Sequence, residues 1–274
     1  MRPIVALLTD FGTGDYYVGA LKGAVLAACR EATLVDISHD VPPHAVEEGA
    51  FLLEAACRTF PGGTVFVAVV DPGVGSSRRG LALEIPGYRF VGPDNGLFSR
   101  LLRGERAARL HEITNRGLFR AEVSPTFHGR DVFAPVAGLL AGGLPIENVG
   151  PAVDDPLILP LERSRQLSAG EWEAEIVHVD RFGNLVTALP AEVIRAVLEA
   201  ADGDAAGILV DAGAARLPLA HTYADVAEGE GCALLGSSGR LELAINQGSA
   251  AKELGLGRGD RVRLRALGAA GEGP

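Results

Sequence analysis

The chain has only three cysteines, Cys29, Cys57 and Cys232, and they lie far apart. No C-x-x-C pairs them, which excludes zinc-ribbon and dithiol chemistry. Cys29 and Cys57 fall in apolar, helix-like stretches, where an inert buried thiol is the default, and the pattern suits a reducing, cytoplasmic setting. Positive charge is also short: 25 Lys and Arg stand against 35 Asp and Glu, a formal net charge of −10. That balance excludes the basic stripe of a nucleic-acid surface and a polybasic membrane patch. Long apolar runs are missing. Ile4 to Leu8 ends at once in Thr9-Asp10, too short for a signal or a membrane span, and reads as a strand. The six histidines show neither H-E-x-x-H nor H-x-H spacing, so no metal site is expected. There is no G-x-S-x-G elbow, since Gly236-Ser237-Ser238-Gly239 is one residue short of it. Gly12-Thr13-Gly14 with Gly19 misses the dinucleotide fingerprint. Residues 71–80 lack the Gly-Lys-Ser/Thr that closes a P-loop.

What remains is an ordinary globular composition, 47% hydrophobic over 274 residues, enough for two domains. Ile4–Thr9, Thr33–Ile37 and the β-branched Val65–Val70 read as strands. Helical spacing runs over Asp15–Cys29, where Tyr17, Leu21, Val25 and Cys29 recur every four residues, and over Val46–Phe60. This β-α-β-α-β order predicts an α/β domain with a mainly parallel, Rossmann-like sheet over residues 1–160. Leu81–Ile85 and Arg89–Val91 read as a hairpin, and Phe98–Leu102 and Asp131–Leu140 as helices. Pro151, Pro156 and Pro160, followed by a polar run, predict a linker at 161–169. Beyond it, short strands with Gly-rich turns predict a small C-terminal β-barrel domain over 170–266, followed by a frayed Gly268–Pro274 tail.

Three loops carry the chemistry: Thr9-Asp10-Phe11-Gly12-Thr13-Gly14-Asp15, Asp71 to Arg79, and Phe127-His128-Gly129-Arg130-Asp131. Loops at strand ends of an α/β sheet are where ligands are held. Asp10 ends a strand, and a carboxylate there can accept two ribose hydroxyls. Asp15 can do the same or merely cap the next helix. Asp71, Arg78 and His128 together can orient a water, or Asp71 and Arg78 can simply brace a loop. In the second domain Asp180-Arg181-Phe182-Gly183-Asn184 links two strands. Its Asn184 can pair with an adenine edge or merely shape a hairpin.

Taken together, Leu8-Thr9-Asp10-Phe11-Gly12, Val70-Asp71-Pro72-Gly73-Val74-Gly75, Gly92-Pro93-Asp94-Asn95-Gly96, Phe127-His128-Gly129-Arg130-Asp131, Asp180-Arg181-Phe182-Gly183-Asn184 and Ala244-Ile245-Asn246-Gln247-Gly248-Ser249-Ala250 resemble the S-adenosyl-L-methionine hydroxide adenosyltransferases. These are relatives of the fluorinases and chlorinases. The resemblance covers about residues 3–265. It implies a trimer whose ligand lies between one chain's N-domain and its neighbour's C-domain. It implies attack of water on ribose C5′, giving adenosine and methionine without a cofactor. The family's Asp-Arg-His set falls on Asp71, Arg78 and His128, with Arg79 adjacent as the alternative arginine. Its ribose-binding Asp falls on Asp10 and its methionine-binding Asp on Asp15, with Ser237 and Ser238 nearby. Adenine contacts fall on Asn184 and on backbone near Gln247. Halogenases carry a serine where this chain has Gly129, so the resemblance favours water over halide. A non-catalytic module binding adenosine or S-adenosylmethionine is the reading from a different class.

Overall fold

The computed structural model describes residues 2–161, 163–201 and 205–266. They divide into two compact units that meet in sequence at Leu161. The tail expected to fray, Gly268–Pro274, lies outside the described residues.

The first unit is built on a mixed seven-stranded sheet. Strands β1 (Ile4–Thr9), β2 (Thr33–Ser38) and β3 (Thr64–Val69) come first, joined through helices α1 (Tyr17–Ala28) and α2 (Val46–Cys57). Then follow β4 (Gly80–Ile85), β5 (Tyr88–Pro93), α3 (Ser99–Leu102), β6 (Arg109–Glu112), α4 (Ala134–Ala141) and β7 (Ala152–Val153). Spatial order is β2-β1-β3-β5-β4-β6-β7. The four strands from β2 to β5 are parallel, whereas β4, β6 and β7 join antiparallel. All six residues of β3 are buried, as expected for a strand covered on both faces. One face packs Leu21, Val25, Val136 and Leu140 of α1 and α4 against Val5, Leu7 and Val67. The other packs Ala50, Leu53 and Leu101 of α2 and α3 against Leu8, Phe66 and Phe90. The sequence reads the β4–β5 hairpin correctly. Which partner lies beside β3 is a long-range choice that it leaves open.

The second unit is an antiparallel, nearly closed barrel-like sheet. Its strands are β8 (Ser164–Ser168), β9 (Glu171–Val179), β10 (Leu185–Pro190), β11 (Ile208–Ala212), β12 (Ala215–Pro218), β13 (Gly231–Leu235), β14 (Arg240–Ile245) and β15 (Arg261–Ala266). The order is β12-β11-β15-β9-β10-β14-β13. A bridge from Leu219 to Ala233 brings the two ends together. Helices α5 (Ala191–Ala200) and α6 (Ala250–Leu254) accompany the sheet. Within the stretch expected as a linker, residues 164–168 form β8 on the edge of β9, with Arg165 and Trp172 among the paired positions. A polar run satisfies its backbone as well on a sheet edge as in water, which is why composition alone does not announce it.

Candidate active site

The first unit's site is assembled at the carboxyl ends of β1 and β3. After β1, the backbone turns through Gly12, whose N–H donates to the His39 carbonyl at 2.7 Å. The Thr9 hydroxyl lies 2.8 Å from His39 Nδ1 and accepts the Phe11 N–H at 3.2 Å. These contacts fix the loop that carries Asp10, whose carboxylate accepts the His44 N–H at 3.0 Å. Helix α1 starts only after Tyr16, and no side chain caps it, so the capping role considered for Asp15 is not taken. Asp15 is exposed.

After β3, Asp71 and Arg78 face each other across the turn. Arg78 Nε donates to both carboxylate oxygens of Asp71 at 3.0 Å, and Nη2 donates to Oδ2 at 2.5 Å. Both side chains are nearly buried, 5% exposed for Asp71 and 11% for Arg78. The same Nη2 lies 2.9 Å from His128 Nδ1. A guanidinium has donors only, so His128 Nδ1 must accept and its proton must sit on Nε2. Burial, and then the charge of Arg78, hold His128 below its ordinary value of 6.5, which keeps it neutral. Arg78 also lies over the Phe133 ring at 5.2 Å.

Arg79 takes other partners. It reaches Asp94 through Nε at 2.9 Å and Asp155 through Nη1 at 2.7 Å. Of the two arginines, Arg78 is the one whose side chain meets Asp71 and His128.

His128 enters a single π turn, Gly129–Phe133, that leads directly into α4. Such bulges are frequent at functional sites. Asp131 within it is fully buried. It accepts from Arg130 at 2.7 and 2.9 Å and from the Ser124 N–H at 2.8 Å. Burial pushes its carboxyl up, but the Arg130 hydrogen bond, the Ser124 N–H and the arginine charges outweigh it and hold it below its ordinary value. Arg130 is thereby set over the Phe127 ring at 4.8 Å.

Asp10, Asp71, His128 and Arg130 share a cavity of about 430 Å3, walled by Phe11, Tyr16, Tyr17 and Phe127. That volume lies within the range of small-molecule sites. The structure thus gathers Asp10, Asp71 and His128, and leaves Asp15 outside this lining. The aromatic wall and Arg130 are what sequence reasoning passes over. Their common signal is proximity to His128 and Asp10 in the chain.

A separate cavity belongs to the second unit. Phe182, Asn184, Tyr223, Ile245, Asn246, Gln247 and Gly248 line it. Asp180 organises its floor, accepting the Phe182 and Asn184 N–H groups at 2.9 and 2.8 Å and the Asn184 amide at 3.0 Å. The Asn184 side chain carries a second amide hydrogen and a carbonyl oxygen beyond the bond to Asp180. Phe182 is 76% exposed. Ser237 and Ser238 sit on the turn between β13 and β14, outside that lining. Ser238 Oγ is buried and has no hydrogen-bond partner among the described residues. Among the described residues no group of His, Cys, Asp and Glu gathers as a metal site, and no helix is long and apolar enough to cross a membrane.

Residues 5–150 match the SAM hydroxide adenosyltransferase N-terminal domain, and residues 174–263 match the C-terminal domain of that family. The chain belongs to this family. It is 41% identical to the (R)-S-adenosyl-L-methionine hydrolase of Thermus thermophilus, over 96% of this chain and 100% of the relative. It is 39% identical to the protein of the same name in Salinispora tropica, over 96% and 98%. Fluorinases stand further off at 29–31% identity. A crystal structure of an uncharacterized conserved protein from Thermotoga maritima superposes with a TM-score of 0.89 at 34% identity, covering 95% of this chain and 99% of that one. A Cβ on Gly129 would lie 3.2 Å from the Phe11 ring, so a serine there needs the aromatic wall to move.

Proposed function

We propose that this SAM hydroxide adenosyltransferase hydrolyses S-adenosyl-L-methionine to adenosine and L-methionine. The observation that carries the reading is the Asp71–Arg78–His128 cluster, whose Asp71 and His128 line a cavity that also holds Asp10, in a chain of this family. In the proposed reaction a water oxygen bonds to ribose C5′ as the C5′–S bond breaks. The sulfonium leaves as a neutral thioether, so no general acid is needed for it. The water's proton goes to Asp71, because His128 offers only Nε2–H on its free side. His128 then orients the water by donation, and Arg78 holds both partners in register. Positioned proton transfer of this kind is worth about 10²–10⁴-fold in rate. No cofactor enters the scheme.

Asp10 takes the ribose hydroxyls, and Asp15, Ser237 and Ser238 take the methionine end. Asn184 and the backbone near Gln247 take adenine. The parallel half of the sheet, with α1 and α2 as crossovers, is the Rossmann-like part of this reading. We further propose a cytoplasmic homotrimer in which one protomer's first unit meets its neighbour's barrel. Two half-sites on separate units, each open to solvent and one with a bare Phe182, support that assembly. Exclusion of bulk water between protomers strengthens the electrostatics of the cluster. The close approach of Phe11 to Gly129, which leaves no ready space for a serine, and the repulsion of a halide by Asp71 support water as nucleophile.

The test is to incubate the protein with S-adenosylmethionine, with and without chloride, and follow nucleosides by chromatography. Adenosine with matched methionine, indifferent to chloride and lost in His128→Ala, is expected. A halogenated nucleoside would overturn the choice of water. Tight adenosine binding without product would turn the reading into a binding module.

A further inference from the structure

On the outer face of the barrel, one carboxylate sits where an apolar residue would be expected. Strand β14 alternates, sending Leu241, Leu243 and Ile245 into the barrel core. Glu242 and Ala244 point the other way, under the segment that carries Tyr223, and Ala244 packs there with Cys232, Leu234 and Val226. Glu242 is 6% exposed. Among the described residues no cation pairs with it. Burial, and the nearby charge of Asp180, push its carboxyl up. Its hydrogen bond is from the Tyr223 hydroxyl, at 2.7 Å. That bond and burial raise the Tyr223 phenol to about 12, so the phenol stays a donor.

A buried carboxylate without a cation is destabilising, and replacing such groups with apolar residues of similar size is often neutral or stabilising. Structure alone therefore gives no account of Glu242. Its surroundings do. Tyr223 is a wall of the cavity that holds Phe182, Asn184 and Gln247. The other carboxylate oxygen rests against Gly236, where any Cβ would overlap it. Gly236 opens the turn that carries Ser237 and Ser238, closed by the Gly239 N–H to the Gly236 carbonyl at 3.0 Å. One side chain thus braces both the tyrosine wall and the serine turn. Asp180 does the matching work for Phe182 and Asn184 from the other side.

We propose that Glu242 is a positioning residue that fixes Tyr223, and with it the purine-binding cavity of the barrel unit, at the expense of fold stability. The inference rests on the adenosine-binding reading above. Restraining the ring before the ligand arrives removes part of the ordering cost of binding.

The experiment measures adenosine affinity by calorimetry and thermal stability in parallel, for Glu242→Gln, Glu242→Leu, Tyr223→Phe and the Leu/Phe double variant. Glu242→Leu is expected to raise the melting temperature while weakening adenosine about tenfold. Tyr223→Phe should weaken it equally, and the double variant no further, because the pair acts as a unit. Glu242→Gln keeps an acceptor for the phenol and should bind within about threefold of the parent. Gly236→Ala, which displaces the carboxylate from the other side, should weaken adenosine as well. Unchanged affinity in Glu242→Leu, or losses that add in the double variant, would overturn the proposal. So would a Glu242→Leu variant that loses stability and affinity together, since that is the signature of a structural residue. A parent protein that binds no adenosine would sink the functional reading instead, and the melting data would still report on the cost of the buried acid.

Discussion

Arg78 and Arg79 are neighbours with unlike surroundings, and the contrast makes a prediction. Arg78 bridges Asp71 and His128 with a planar fork of donors, which lysine cannot reproduce. Arg78→Lys is expected to lower turnover by about 10²-fold or more with little change in adenosine affinity, as is Asp71→Asn. Arg79→Lys loosens Asp94 and Asp155 and should alter stability while leaving turnover within a few-fold. Comparable losses from both arginines, in kinetics on purified protein, would contradict this division. The state of His128 sets the pH dependence. Its folded value is lowered by burial and by Arg78, so protonation that breaks the Nδ1 contact occurs only below the ordinary 6.5. The acid limb of the rate profile should therefore have its midpoint below about 6.5 where this histidine governs it. A midpoint above that value would mean that His128 is not the group being read.

At the scale of the element, the π turn before α4 depends on Asp131. Asparagine there keeps the shape but loses the charge that Arg130 and the Ser124 N–H are arranged around. Asp131→Asn is expected to destabilise by about 1–3 kcal/mol at neutral pH, measured by denaturant unfolding. The folded carboxyl lies below the ordinary 3.8, so its contribution is present above that value and lost as pH falls beneath it. The gap between parent and variant should accordingly close in strong acid. The β9–β10 turn makes a second case. Gly183 has φ +86°, and a Cβ there would overlap Ser249 Oγ on the turn before α6. Gly183→Ala should cost about 1–3 kcal/mol and weaken adenosine binding, because Asn184 follows immediately. An unchanged melting temperature would count against that strain.

For the whole molecule, the proposed trimer is the decisive matter. Light scattering in solution should give a mass three times the 28.4 kDa of one chain. A monomer with full activity would dismantle the idea that neighbouring protomers complete the site. Chloride should leave both mass and product unchanged.

Much of this was legible in the amino-acid order. The apolar β1 and β3, the helical spacing of α1 and α2 and the hairpin of β4 and β5 are local patterns. Side-chain periodicity and turn residues encode them directly. So were the loops bearing Asp10, Asp71 and His128, because glycine, charge and strand ends fall together there. The sequence by itself determined the two-unit α/β and β architecture, and which residue types stand ready for chemistry. Only the tertiary structure decided that β5 lies beside β3, that residues 164–168 join the barrel's sheet, and that Arg78 rather than Arg79 meets His128. It also set Asp15 apart from the cavity that Asp10 lines, and buried Glu242 beneath Tyr223. Each of those outcomes is a contact between residues distant in the chain. Such contacts are fixed by packing and by the pairing of buried polar groups, which no local period or spacing records.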